Sequence, residues 1–458
     1  MGVLIMAAQM IAALTILVTI HEFGHYITAK WFNVQVDKFF VFFDVPLGRG
    51  KKKADETAEE HQSRGWDGKL VKTKKGETEY GLGWLPLGGY VKLGGMIDES
   101  MDKDWEEIPR EKQFRFKPAW QKLIIMLAGI FLNVVLGVLI YFGLNATNKQ
   151  MLPLDKLNGD YIISDYGKEI GLEQGDVIIG ANGKELLRTE DVRKEVFFGG
   201  TVEAKRDGEV ISVDVPENYF ESGTPFFGLR SDLYVGELEE GANAQKAGLE
   251  VGDKIVAVNG EPLQWLPDFS SKLMDKQGDE AVISIERSGE TMQLPVSVNE
   301  DGKIGFIIQS EVDESYKQHF TKMNVGQAIN YGVKDAFDMI FLNIRAFGQM
   351  GKGKIKPQDS VAGPFQIATM FGDTWDWTRF WTLTATLSMI LAFMNLLPIP
   401  ALDGGHAVFA IIEMITGKPV NERVLEVAQV IGFFLIMTLM VLILGNDIWR
   451  IASKAFGG

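Results

Sequence analysis

Four stretches of this 458-residue chain are almost purely apolar, and each has the length needed to cross a lipid bilayer. They run at Val3–Tyr26, Ala119–Leu144, Trp377–Leu397 and Val427–Leu444. A helix needs roughly 20 apolar residues to cover the ~30 Å hydrocarbon core. Backbone in lipid must satisfy its own hydrogen bonds, so helices are the expected form. Trp31, Trp120, Trp377 and Trp449 fall at or just beyond the ends, where interfacial indoles belong. The first stretch lacks a basic leader and a small-residue cleavage site, and reads as an anchor rather than a removable signal.

His21-Glu22-Phe23-Gly24-His25 sits at the inner end of that first stretch. Imidazoles at i and i+4 share one helix face, which suits two bonds to one zinc ion. The glutamate between them projects beside the metal, where it can take a proton from water. Ionisable groups on an inserted helix cost about 2.5–3.5 kcal/mol each on insertion scales, so they seldom persist without a task. The chain has no cysteine, so disulfides play no part and a zinc site must draw on His, Asp or Glu. The candidate third ligand is Asp403, in the run Asn395-Leu396-Leu397-Pro398-Ile399-Pro400-Ala401-Leu402-Asp403-Gly404-Gly405-His406 that closes the third stretch. His406, three residues on, is the alternative ligand. His61 and His319 carry no motif and read as surface or packing residues.

If the four stretches alternate across the bilayer, His21 and Asp403 both lie near the ends of odd-numbered spans, on one side and at similar depth. Val325–Met350 would upset this as a fifth span. Lys334, Asp335, Asp338 and Arg345 interrupt its apolar stripe of Val333, Phe337, Ile340, Phe341, Ile344 and Phe347, which predicts an interfacial or packing helix.

The net charge of −15 is concentrated in one place. Residues 150–303 hold roughly 31 acidic and 15 basic side chains, whereas loop 27–118 is near neutral but rich in Lys and Arg, including Arg49–Lys53 and Lys72–Lys75. The positive-inside rule then favours a cytoplasmic 27–118 loop and a periplasmic acidic segment. So acidic a chain is a poor partner for nucleic acid.

The acidic segment contains a repeat. Gly171-Leu172-Glu173-Gln174-Gly175-Asp176-Val177-Ile178 returns as Gly248-Leu249-Glu250-Val251-Gly252-Asp253-Lys254-Ile255, and Asn182-Gly183 returns as Asn259-Gly260. Turn residues between β-branched runs predict small sheets of short strands. The pattern resembles PDZ domains of the bacterial protease type, at 150–226 and 227–310. Two readings stay open: peptide-binding or filtering modules, which take extended chains by strand addition, and β-rich spacers without a ligand.

HExxH on a first span together with N-x-x-P-x-x-x-L-D-G on a later one resembles the site-2 protease family of intramembrane metalloproteases. That resemblance implies a polytopic α-helical membrane protein of four transmembrane helices, with two inserted PDZ domains and a membrane-associated β element. Residues 1–149 would hold spans one and two, 311–376 amphipathic helices, and 377–458 spans three and four. It also implies a multi-pass protein of the inner membrane, with periplasmic PDZ domains and an active site toward the cytoplasmic side. The implied substrates are transmembrane proteins already trimmed outside the bilayer, among them an anti-sigma factor and remnant signal peptides.

On this reading zinc is held by His21, His25 and Asp403, and Glu22 is the general base. Asn395 is a partner for substrate backbone or a helix-packing amide. Gly81–Gly95 reads as strands with bends. It is either a membrane-dipping element whose edge at Gly89, Tyr90 and Val91 pairs with unwound substrate, or a plain cytoplasmic hairpin. Relatives carry a G-F-G-like turn where this chain has Phe39–Pro46. The competing classes are a non-enzymatic membrane scaffold presenting PDZ modules, and a zinc-dependent transporter.

Overall fold

The structure is a computed structural model and describes residues 2–43, 60–64, 70–74, 77–83, 85–96, 108–147, 150–222, 224–355 and 362–456. The chain forms two compact units, Met1–Lys149 with Asn324–Gly458, and Gln150–Met323. Among the described residues three helices are long and apolar enough to cross a membrane: Gly2–Trp31 (α1), Ala119–Thr147 (α2) and Glu422–Trp449, the last within a helix running to Phe456. The third expected span is a helix, Trp377–Leu396, but threonines and Arg379 dilute its apolar character, and it buries Thr384 and Ser388.

Helix directions follow from which residues meet. Gly24 lies against the Ala128 backbone, and His25 bonds to the Ile125 carbonyl, so α1 and α2 run antiparallel. The Trp377 helix runs parallel to α1: Phe380 clusters with Ala13, and Asn395 reaches His21. These directions bring two distant motifs to one level.

Val325–Gly351 is a 27-residue helix started by a capping box of Asn324 and Gln327. It packs, Gly332 against the Phe142 backbone and Phe347 edge-on to Phe393 at 5.4 Å. The packing reading for this segment is thus seen directly. Its outer stripe keeps Phe341 and Ile344 exposed.

A three-stranded sheet follows α1. Its order is β4 (Glu79–Leu82), β1 (Val36–Phe43), β5 (Leu85–Leu93), with β1–β4 parallel and β1–β5 antiparallel. The glycine-rich segment is thus not a plain hairpin, because β1 separates β4 from β5. β2 (Glu60–Arg64) and β3 (Leu70–Lys74) form a separate antiparallel pair. The Arg49–Lys53 run and Asp44–Pro46 lie outside the described residues.

In the second unit the sequence repeat is also a structural one. Arg206 forks onto Asp176 at 2.7 Å and reaches the Gly171 carbonyl at 2.9 Å. Arg287 does the same to Asp253 at 2.7 Å and to Gly248 at 2.8 Å. Asn182 and Asn259 both adopt left-handed turns, with φ of 51° and 52°. The copies are tied together: Tyr316, downstream of both, is fully buried in the first core, and Phe227–Gly228 pair with Ile162–Ile163.

Arg206 holds the Asp176 carboxyl below its usual range. A carboxyl that titrates lower when folded stabilises fully above its unfolded pKa of about 4 and loses that contribution as pH falls through the lowered value. Arg206→Met should therefore lower the melting transition of this unit by on the order of 5 °C near neutral pH. The difference from wild type should shrink below pH 4 in circular dichroism melts of the full chain.

Candidate metal centre

α1 carries His21 and His25 on one face, both buried. Glycine lets α2 close onto that face: a Cβ at Gly129 would lie 2.5 Å from His25 Nε2 and 2.8 Å from His21 Cε1. Any side chain there would displace the imidazoles.

The opposite wall is the turn Pro398–Leu402 and the helix Asp403–Thr416. Ala401 takes φ of 108°, outside the comfortable range of a residue with a Cβ. Strain of this kind persists only where the surroundings impose it. Gly404 and Gly405 explain how the helix begins so abruptly, since Cβ atoms there would meet the Leu397 and Ile399 carbonyls at 2.3 and 2.4 Å. Asp403, in the first turn, is aimed back at α1.

Asp403 Oδ2 lies 3.1 Å from His21 Nε2 and 3.2 Å from His25 Nε2, and the two Nε2 atoms are 3.3 Å apart. Ligands bound tetrahedrally to zinc at 2.0–2.1 Å are separated by about 3.3 Å. The three atoms therefore stand as three corners of such a tetrahedron.

Protonation makes the same case. His25 Nδ1 faces the Ile125 carbonyl at 2.8 Å, which only accepts, so Nδ1 carries the proton and Nε2 presents a lone pair. His21 Nδ1 faces the Asn133 amide at 3.2 Å. Asn133 Oδ1 is buried without a partner; turning the amide so that oxygen accepts from Nδ1–H satisfies both groups. Asp403 Oδ2 is likewise buried and lacks a hydrogen bond of good geometry. Two lone pairs and a carboxylate oxygen converge where only a cation relieves their repulsion, so the residues fit zinc.

The other predicted residues divide. Glu22 is half-buried beside β5, with the Val91 backbone amide directed at its carboxylate. Gly89 passes so close to α1 that a Cβ would lie 2.7 Å from Val18 and 3.5 Å from Glu22 Cγ. Tyr90 points away and stacks on Phe40 at 5.4 Å. Asn395 Nδ2 is 3.3 Å from His21 Nε2, at the donor cluster itself. His406 is not in the cluster; it lines a separate cavity of about 850 Å³ with Lys122, Phe409 and Glu413.

Asn133, the Ile125 carbonyl and Gly129 were not read from sequence. Asn133 had a signal: it is the one amide within the otherwise apolar Leu123–Leu144. It is fully buried, and Ser388 Oγ donates to its carbonyl at 2.8 Å. Asn133→Ala should weaken zinc binding by roughly 10–100-fold, as loss of a partner behind a ligand does. Chelator competition on the purified protein measures it.

The chain belongs to peptidase family M50, the site-2 protease family, whose model matches residues 9–58 and 60–439. It is similar to Protease RseP of Yersinia pestis, at 28% identity over 98% of this chain and 100% of the relative. Regulator of sigma-E protease RseP of Escherichia coli is 29% identical over 97% of this chain and 98% of the relative. A Neisseria meningitidis protein named as a zinc metalloprotease is 27% identical over 96% and 98%. The protein is thus a zinc metalloprotease of the membrane, and the scaffold and transporter readings fall away.

Proposed function

We propose that the protein is an intramembrane endopeptidase that cuts the spanning segments of single-span proteins already trimmed on the periplasmic side. The observation that carries this is the meeting of His21, His25 and Asp403 donor atoms within 3.3 Å of one another, the histidines on a helix long and apolar enough to cross a bilayer. His21, His25 and Asp403 would hold zinc, which when bound supplies a Lewis acid and a water made nucleophilic near neutral pH.

The remaining steps belong to the chain. Glu22 takes a proton from the attacking water and passes it to the leaving amine. Ile125 and Asn133 hold the two imidazoles in the tautomer that leaves both Nε2 atoms free. Asn395, beside His21, is placed to bond a substrate backbone group. β5 is an edge strand next to Glu22, and an unwound substrate segment would add to it at Gly89 and Val91. Because ladder bonds alternate along an antiparallel pair, these two residues share the outward edge while Tyr90 bonds inward.

In the same reading there are four spans, the Trp377 helix being the third. The repeats at 150–310 are periplasmic PDZ modules that admit trimmed substrates or bind their ends. The inner membrane is the site of action, with the metal centre toward the cytoplasm. Likeness to sigma-E regulators suggests an anti-sigma factor and remnant signal peptides as substrates, in an envelope stress response.

The test is cleavage in lipid nanodiscs of a single-span substrate with and without its periplasmic domain. A cut within the spanning segment, faster for the trimmed form, is expected; no cut in either form overturns the proposal. Val91→Pro removes one edge donor and should slow the trimmed substrate about tenfold or more, the equivalent of one hydrogen bond lost from the transition state. Unchanged turnover would count against edge pairing.

A further inference from the structure

Lys122 and Glu413 form an ion pair that the chemistry above does not use. Lys122 Nζ lies 2.8 and 3.0 Å from the two Glu413 oxygens, with the side chains only 10% and 19% exposed. Charges withdrawn from water at the head of an apolar span carry a desolvation cost, which close pairing offsets only in part. Their position shows what the pair connects.

Glu413 stands ten residues beyond Asp403 on the same helix, roughly 15 Å along its axis. That helix is pinned at its start, where Gly404 and Gly405 press on the Leu397 and Ile399 carbonyls. Beyond that turn, one face of the helix from His406 to Glu413 borders the cavity of about 850 Å³. A helix fixed at its first turn, packed through Ala407 and Ala410 and flanked by space along another face, can tilt about that turn, which is where Asp403 sits. Lys122 ties the far end down. It does so from α2, one turn before Ile125, whose carbonyl orients His25.

We infer that Lys122 and Glu413 are positioning residues: their ion pair sets the tilt of the Asp403 helix against α2, and so the distance from Asp403 to the two imidazoles. The inference rests on Asp403 being a zinc ligand. It accounts for a charged pair kept at this depth, and for its link to the very turn of α2 that holds His25. The pair acts at a distance; neither side chain touches substrate.

The experiment measures zinc affinity by chelator competition on the full-length protein, alongside its melting temperature. The variants are Lys122→Met, Glu413→Gln, Lys122→Arg and the charge exchange Lys122→Glu with Glu413→Lys. Each uncharged single variant should bind zinc about 10–100-fold more weakly, the range for partners behind a metal ligand. Lys122→Arg and the exchange should recover most of that loss, and zinc affinity should fall while the melting temperature stays near wild type, which a merely structural cost would not do. Wild-type zinc affinity in both uncharged variants overturns the inference. So does a loss that neither Lys122→Arg nor the exchange restores. Asp403→Asn serves as the separate control: if it leaves zinc affinity intact, the ligand assignment fails, whatever the ion-pair variants show.

Discussion

Glu22→Gln should retain stoichiometric zinc and lose peptide cleavage by roughly 10²–10⁴-fold, the span usual for removing a general base. The substitution keeps the shape of the side chain and leaves His21, His25 and Asp403 untouched. The amide cannot take a proton, so water attack loses its base and the leaving amine its acid. Glu22 is half-buried against β5, so the isosteric change should not disturb the helix. Metal analysis and turnover must be read together. Zinc present with activity absent supports the assignment; cleavage at the wild-type rate removes Glu22 from the mechanism.

Asp403→Ala should release the metal. Among the described residues its Oδ2 is the only carboxylate oxygen within the donor cluster, 3.1 and 3.2 Å from the two Nε2 atoms. Two imidazoles alone make an incomplete zinc site, since protein zinc sites keep at least three protein ligands. The fall in affinity should exceed the roughly 10–100-fold typical of losing a partner behind a ligand. The purified variant should therefore carry little zinc after dialysis. His406→Ala is the informative comparison: its ring borders the neighbouring cavity, and that variant should keep its zinc. The reverse outcome would make His406 the third ligand.

How much of this was legible in the sequence depends on how local the cause is. HExxH is readable because helix geometry alone fixes the i, i+4 face. Asp403 is readable because the alternation of spans fixes its side and depth. The repeat was also legible, down to the turns: the paired Asn-Gly positions do take up left-handed conformations. Contacts between remote segments were not. Asn133 meets His21 across 112 residues, and Lys122 meets Glu413 across 291. Asn133 and Glu413 are polar residues in apolar runs and Lys122 heads one, but nothing nearby names a partner for any of them. The sheet order was not legible for a related reason. β4 and β5 are close in sequence, and only β1, some 40 residues earlier and shaped by packing on α1, reveals that they do not pair.

The burial of Tyr316 within the first repeat's core bears on how the two repeats can be dissected. The polypeptide leaves the second repeat, drops an aromatic ring into the first, and only then proceeds to the Val325 helix. Excising the second repeat through residue 323 would also remove a plug from its neighbour. A deletion meant to isolate one module should therefore preserve residues 313–323. Defects seen in cruder truncations would report damage to both halves at once.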